Sequence, residues 1–191
     1  MEHTDKPNFG REHRALSTVR RVSVTECDAF IQAHYLHKRP AVVMLCLLAE
    51  IMTTRAEPMG CVIYSAPPRE SSKRYGGLTW ELARLYLLDW VPRNAETWLI
   101  GKSVKYIKLN HPEVEYLVSY ADSRQGHAGT IYKAANWIID GHTDEGRKTP
   151  RNDLMDPKTC KIYSRWSAAP SGCIKVPRSR KNRFFYRMKS Q

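Results

Sequence analysis

SYADSRQGHAGTIYKAANW, residues 119–137, opens like a buried strand, turns through an acid and two glycines, and then spaces its apolar residues as an amphipathic helix does. A strand that runs into a helix through a short turn is the building unit of an α/β domain. This turn carries Asp122, Arg124, Gln125 and His127, and the helix after it carries Tyr132 and Trp137. That is more chemistry than a connection needs.

Upstream, LTWELARLYLLDWV (78–91) reads as a strongly apolar strand, followed by PRNAETWLIGKSVKYIKLN, in which Asn94 can cap a helix carrying Trp98, Leu99, Val104 and Ile107. AVVMLCLLAE (41–50) and MGCVIYSA (59–66) flank the turn-rich TTRAEP and predict an antiparallel hairpin, while PPRESSKRYGG (67–77) reads as loop. LSTVRRVSV (16–24) alternates like a strand, and Thr25 with Asp28 resembles a capping box opening the helix ECDAFIQAHYL. Residues 141–158 read as loop, and the strands TCKIYSRW (159–166) and RFFYRM (183–188) finish the sheet. The order β-α-β-β-β-α-β-α-β-β predicts one mixed α/β domain over 16–191, behind a flexible 1–15.

At 191 residues and 42% hydrophobic, the chain can bury one full core. Lysine and arginine outnumber acids 31 to 19, and the resulting charge of +12 favours a polyanionic partner: DNA, RNA or a membrane surface. The longest apolar run, 41–52, is broken by Glu50 and falls short of the ~18 to 20 residues of a membrane span. The polar start MEHTDKPNFGREHR has no signal-like apolar stretch, so a cytoplasmic location is expected. Cys27, Cys46, Cys61, Cys160 and Cys173 form no CxxC pair and read as reduced, mostly buried small residues.

Ligands of open α/β sheets sit where strand ends lead into helix starts. Two such turns stand out. In VPRNAET, Arg93 and free helix-start amides suit a phosphate; in ADSRQGHAG, Asp122 is placed to accept a proton or hydrogen bond from a substrate amine, or simply to cap its turn. If their strands are neighbours, both turns open onto one cleft. Tyr132 and Trp137 suit stacking on a base or plain core packing, core being the reading for Trp137. His34, Tyr35 and His37 in AHYLHKRP form a polar helix end; with His127 they have only a loose metal-ligand spacing, and no metal site is assigned. Arg84, inside an apolar strand, needs an anionic partner, either Glu81 or a ligand. The tail from 171 carries seven basic residues, no acid and three adjacent aromatics. Lys175, Arg178, Arg180, Lys181 and Arg183 are its candidate nucleic-acid contacts, the other reading being a charge-protected edge strand.

SYADSRQGHAGTIYKAANW, AHYLHKRP, ELARLYL and KNRFFYRM together resemble the phage Mom family of DNA-modifying enzymes, over most of 24–190. The resemblance implies an N-acyltransferase-like (GNAT) fold, with strands 78–91 and 114–121 as its splayed pair. It also implies conversion of adenine in double-stranded DNA to N6-carbamoylmethyladenine, which protects phage DNA from host restriction. Carried over motif by motif, it points to His34, Tyr35, Asp122 and Tyr132 as catalytic residues, and to Tyr64, Arg84 and Thr97 as donor-binding ones, which Asn94 joins as the residue at the helix start. One departure concerns the donor. The GNAT pyrophosphate loop, Gln/Arg-x-x-Gly-x-Gly/Ala, belongs after the first splayed strand, where this chain has VPRNAETWLIG; the look-alike RQGHAG follows the other strand. Acetyl-CoA or a related acyl donor would therefore be held by helix-start amides with Asn94 and Thr97.

The implied mechanism flips the adenine out, stacks it on Tyr35 or Tyr132, and uses Asp122 to orient the amine and take its proton, with Arg84 and residues 94–97 holding the donor. The competing readings are a GNAT acetyltransferase acting on an RNA or protein amine, and a non-enzymatic DNA-binding protein. An exposed basic C-terminal strand also allows a homodimer.

Overall fold

The structure is a computed structural model that describes residues 6–122, 124, 126–163 and 168–188. Its elements in chain order are α1 (Arg11–Leu16), β1 (Ser17–Arg21), α2 (Val24–Ala33), β2 (Val43–Met52), β3 (Ala56–Ser65), α3 (Arg69–Tyr75), β4 (Thr79–Leu87), α4 (Ala95–Asn110), β5 (Tyr116–Asp122), α5 (Thr130–Ala134), β6 (Ile138–His142), β7 (Asn152–Met155), β8 (Ile162–Tyr163), β9 (Ile174–Pro177) and β10 (Lys181–Arg187). Seven strands form the main sheet in the order β1-β2-β3-β4-β5-β10-β6, and β8-β7-β9 form a small second sheet.

The period-two alternation of β2 decides the layering. Leu45, Leu47, Ala49 and Ile51 join Trp98, Leu99, Ile100, Val104 and Ile107 of α4 in one core. Cys46 and Leu48 turn the other way, against Cys27, Phe30 and Ile31 of α2. The sheet is thus buried on both faces, which explains why its central strands read as continuous apolar runs. The hairpin of β2 and β3 forms as predicted, in antiparallel register from Val43↔Ser65 to Met52↔Ala56. Three cysteines lie in the α2-side core, while Cys160 is exposed and Cys173 half-buried.

Several sequence expectations shift. The cap of α2 is Ser23, whose side chain accepts from Glu26 N, and not Thr25. The segment 67–77, expected as loop, contains α3, which stops where Gly76 turns left-handed at φ 68°. The helix expected to carry Trp137 ends after one turn, because Asn136 adopts φ 61° and leads the chain into β6. The expected loop 141–158 contains β7. The strand expected over 159–166 is only the short β8, in the small sheet, and its residues 164–166 lie outside the described residues. The final strand, β10, inserts between β5 and β6 and does not close an edge.

Of the segment expected to be flexible, residues 1–5 lie outside the described residues. Residues 7–9 run alongside the start of α4: Arg93 N donates to Pro7 O at 3.0 Å, and Phe9 N to Arg93 O at 2.8 Å. Phe9 is buried, its ring 5.0 Å from that of Trp98.

Candidate active site

β4 and β5 are parallel neighbours, but they pair only over Thr79↔Tyr116, Trp80↔Leu117 and Glu81↔Val118. Beyond that they part, and β5 continues its ladder with β10 as far as Asp122↔Lys181. In β4 an irregularity against β3 leaves Ala83 without a register partner, between Leu82↔Tyr64 and Arg84↔Ile63; such a bulge re-aims the side chains that follow it. The gap between the two strands is a cleft of about 890 Å³, within the usual size of a small-molecule site. Its walls include residues 81–87 of β4, 119–121 of β5, the loop and helix 126–132, Lys181 and Arg183 of β10, and the acids Glu70 and Glu96.

Glu81 sits at the fork. Burial pushes its carboxyl above the usual carboxylate range, and Arg84 and Lys181 pull it part of the way back. Arg84 donates from Nε to Lys38 O at 3.3 Å and from Nη1 to Ala83 O at 2.7 Å. Among the described residues no carboxylate lies within ion-pair distance of this guanidinium, so its charge stays available to an anionic ligand. Tyr86, Tyr120 and Tyr132 also line the cleft, and burial raises all three phenols, keeping them neutral. Tyr132 is 8% exposed. Its ring packs between those of Trp137 and Phe184, and its hydroxyl lies 2.8 Å from Ser119 Oγ, which also donates to Leu82 O at 2.9 Å. That chain ties β5 to α5 and leaves little of the ring for a base.

Asp122 stands outside the cleft wall. Its Oδ1 accepts from Ser179 Oγ at 2.5 Å and from Arg124 N at 3.1 Å, its backbone carbonyl accepts from His127 N, and its Oδ2 lies 4.0 Å from Lys181 Nζ. The side chain shapes the turn that carries residues 126–129 into the wall. Gly129, at φ 74°, approaches the Phe184 ring too closely for any side chain, so the glycines of RQGHAG serve backbone conformation and packing.

The other predicted positions scatter. Tyr64 is fully buried in the α4-side core, its hydroxyl 2.7 Å from Ser103 Oγ, and lines no part of the cleft. Thr97 is half-buried in the first turn of α4 and also stands outside the lining. Asn94 is exposed at φ 69° and makes no side-chain cap; its Nδ2 donates to Asn8 Oδ1 at 3.0 Å. His34 packs on Phe30, ring to ring at 4.6 Å. Tyr35 is 97% exposed. Among the described residues no group of three His, Cys, Asp or Glu side chains could hold a metal ion.

The candidate DNA contacts divide by burial. Lys175, Arg180 and Lys181 reach the surface. Arg178 turns inward to Asp153, with Nε donating at 2.9 Å, and Arg183, 3% exposed, is held by Asp140 and Glu145 at 3.3 Å each. These two are structural cations, and their expected phosphate contacts do not fit where they lie. Burial alone separates the two sets, and a basic tail does not reveal it.

A pyrophosphate-bearing cofactor such as acetyl-CoA fits the start of α4 poorly. The Arg93 amide is already bonded to Pro7 O, the segment 7–9 runs beside it, and the first turn carries Glu96, an acid that lines the cleft. Glu81 is the functional candidate that the sequence reading left as a mere partner for Arg84. An acid within a strand buried on both faces was the available signal.

Solved N-acetyltransferases share the architecture. Spermidine N-acetyltransferase from Vibrio cholerae, in complex with CoA and spermine, aligns with a TM-score of 0.52 over 91% of this chain and 96% of its own, at 9% identity. Arabidopsis thaliana NAA60 in complex with acetyl-CoA aligns with a TM-score of 0.56 over 90% and 99%, at 12% identity. At these identities the likeness bears on the fold alone, which is GNAT-like: a mixed sheet flanked by helices and splayed at its centre. In sequence, 61 residues are 46% identical to methylcarbamoylase mom of Escherichia phage Mu; the match covers 32% of this chain and a quarter, 25%, of that protein. The pattern of the Mom protein family runs through residues 17–186, from the first residue of β1 to within one residue of the end of β10, and by that measure the chain belongs to the Mom protein family.

Proposed function

We propose that this protein is a transferase that converts adenine in double-stranded DNA to N6-carbamoylmethyladenine and thereby shields phage DNA from restriction. The observation that carries the reading is the juxtaposition, in one cleft at the β4–β5 fork, of a desolvated carboxylate, Glu81, with a guanidinium, Arg84, that has no ion pair among the described residues. Family membership and the phage Mu relative supply the class of reaction. The exposed basic side chains Lys181, Arg180 and Lys175 suit a phosphate backbone.

Adenine N6 is a weak nucleophile, because its lone pair is delocalised into the ring, and in a duplex it is also paired. Flipping brings the amine into the cleft. As the N6–carbon bond forms, the bond between that carbon and the donor's leaving group breaks, the leaving group departs with the electron pair, and one amine proton must leave; of the lining carboxylates Glu70, Glu81 and Glu96, Glu81 is the one whose raised pKa makes it a stronger base than an exposed glutamate. Arg84 holds the amide or leaving group of the donor. Asp122 acts through the turn it shapes. Acetyl-CoA has no part in this scheme, because the α4 start is poorly built for it.

The test is mass spectrometry of nucleosides from plasmid DNA of cells expressing the chain or its Glu81→Gln form. A deoxyadenosine heavier by one carbamoylmethyl group, absent with the variant, is the expected result. Acetylated RNA or protein with unmodified DNA would move the assignment to an ordinary acetyltransferase, the activity of the fold neighbours.

A further inference from the structure

A tyrosine buries most of its ring in an ordinary fold, yet Tyr35 is 97% exposed and adopts a left-handed backbone, φ 53°. A bulky residue is rarely found there. The segment that holds it out is well anchored. Tyr35 N donates to Gln32 O at 3.2 Å and Leu36 N to Ile31 O at 3.0 Å, closing the end of α2. Leu36 packs on the α2-side core. The next two carbonyls are fastened to the cleft wall: Tyr86 Oη donates to His37 O at 3.2 Å, and Arg84 Nε to Lys38 O at 3.3 Å. Arg39 is bonded to Asp28 at 2.8 Å. An aromatic ring is thus presented to solvent on a loop clamped to two residues that line the cleft.

The surroundings select the partner. Residues 34–39 contain two histidines, a lysine and an arginine and no acid, and the nearest acid in that loop's contacts, Asp28, is taken by Arg39. A protein-binding hot spot would ring the tyrosine with exposed apolar side chains; the recess that Tyr35 lines has Ile31 buried and Leu36 half-buried beneath it, and the other exposed side chains there are Gln32 and Lys38. An aromatic ring among cations fits stacked bases between phosphates. Because Tyr35 stands outside the cleft and Tyr132 is covered, neither is placed to sandwich an adenine within it.

Resting on the DNA-modifying reading above, we propose that Tyr35 is a wedge: its ring enters the duplex and stacks in the gap left by the extruded adenine, while Lys38 and His37 meet the flanking phosphates. Extrusion sacrifices stacking on both sides of the target base. A ring that takes the vacated place restores part of it and prevents the base from swinging back.

The experiment uses the full chain, its Tyr35→Ala and Tyr35→Trp forms, and duplexes carrying 2-aminopurine, an adenine analogue that brightens on unstacking, in every combination of flanking bases. A second set places the analogue opposite an abasic site, where no pair has to be broken. Expected for Tyr35→Ala is a loss of about tenfold in the unstacked population on paired duplexes, the scale of one base-stacking contact, with near-normal unstacking on the abasic set. Tyr35→Trp should retain the signal on both. Undiminished unstacking of the paired duplexes by Tyr35→Ala, or an equal defect on both sets, would overturn the wedge while leaving the DNA reading intact. Failure of the unaltered chain to bind any duplex would instead overturn the DNA reading, and the wedge with it.

Discussion

Gly129 lies against the ring of Phe184 so closely that a Cβ on the glycine would stand 2.2 Å from Phe184 Cζ. The contact joins the last residue of the strand-to-helix turn to the centre of β10, and thereby holds the inner wall of the cleft. Gly129→Ala must also accept φ 74°, a cost of about 1 kcal/mol or more by itself. With the displaced ring, a total loss of roughly 2–4 kcal/mol is expected, read as a lower urea midpoint at unchanged slope. Gly126→Ala is the control: its φ is also 74°, but its Cβ would meet nothing within 4 Å, so only the conformational part should appear.

Asp140 ties three elements together. It accepts from Arg74 of α3 at 2.7 Å, from Tyr75 at 2.8 Å and from the buried Arg183 of β10 at 3.3 Å. The Arg74 guanidinium, helped by Tyr75 and Arg183, holds its carboxyl below the usual range despite burial. A depressed carboxylate stabilises the fold fully above its unfolded value and loses that stabilisation as pH falls through the folded value. Acid unfolding should therefore begin below about pH 4 for this group, and Asp140→Asn should flatten that part of the profile. At neutral pH the same variant strands Arg183 with only the half-exposed Glu145, for a loss of about 3 kcal/mol in thermal or urea unfolding.

The fold was legible where periodicity was strong. The β2–β3 hairpin, β4, α4 and β5 lie where alternation and helical spacing put them, because each is committed to a core on one or both faces. α3 was hidden by its polar composition, although Pro68 before it and Gly76 after it are the ordinary signs of a helix start and stop. The strand β6 was hidden by propensity, since a single left-handed residue, Asn136, converts a helical pattern into a strand. Of the site, Arg84 and the 126–132 wall were readable from the motif and the apolar strand around them. The inward turn of Arg178 and Arg183, the burial of Tyr64 and the engagement of Asp122 were not, because each depends on contacts from residues 25 to 57 positions away in sequence.

Glu81 and Asp122 separate kinetically. If Glu81 takes the amine proton, Glu81→Gln should lower modification by about 10²- to 10⁴-fold. Asp122→Asn keeps an oxygen for Ser179 Oγ and Arg124 N and should stay within about tenfold of the unaltered chain. The ionised form of a carboxyl whose value is raised by burial disappears at higher pH than usual, so activity should fall with acid well before the ordinary glutamate value of about 4.3. Lys181→Gln removes a cation that opposes the shift, and should move this acidic limb further upward. An inactive Asp122→Asn beside an active Glu81→Gln would reverse the assignment.

Surface and buried cations should differ in how DNA binding responds to salt. Removing one cation that touches a phosphate reduces the slope of log affinity against log salt by about 0.9. Lys175→Ala and Lys181→Ala, at exposed positions, should each lower the slope by about that amount and leave unfolding unchanged. Arg183→Ala removes a guanidinium that is 3% exposed and leaves Asp140 and Glu145 facing each other across its site; its signature should be a lower unfolding midpoint.

Phe9 should behave as core although it lies near the chain start. Its ring is 2% exposed and packs on Trp98, and its amide is bonded to Arg93 O at 2.8 Å. Phe9→Ala is expected to cost about 3–5 kcal/mol. The same change loosens the segment that runs along the start of α4, where GNAT enzymes that use acetyl-CoA hold a pyrophosphate. If that segment and Glu96 are what make the place unsuitable, the unaltered chain should give no heat with acetyl-CoA in a calorimetric titration. Phe9→Ala combined with Glu96→Gln should then gain weak binding, because the helix-start amides would be uncovered and the opposing charge removed. Tight binding of acetyl-CoA by the unaltered chain would show that the cofactor reaches the cleft by another route, and would favour the competing acetyltransferase reading.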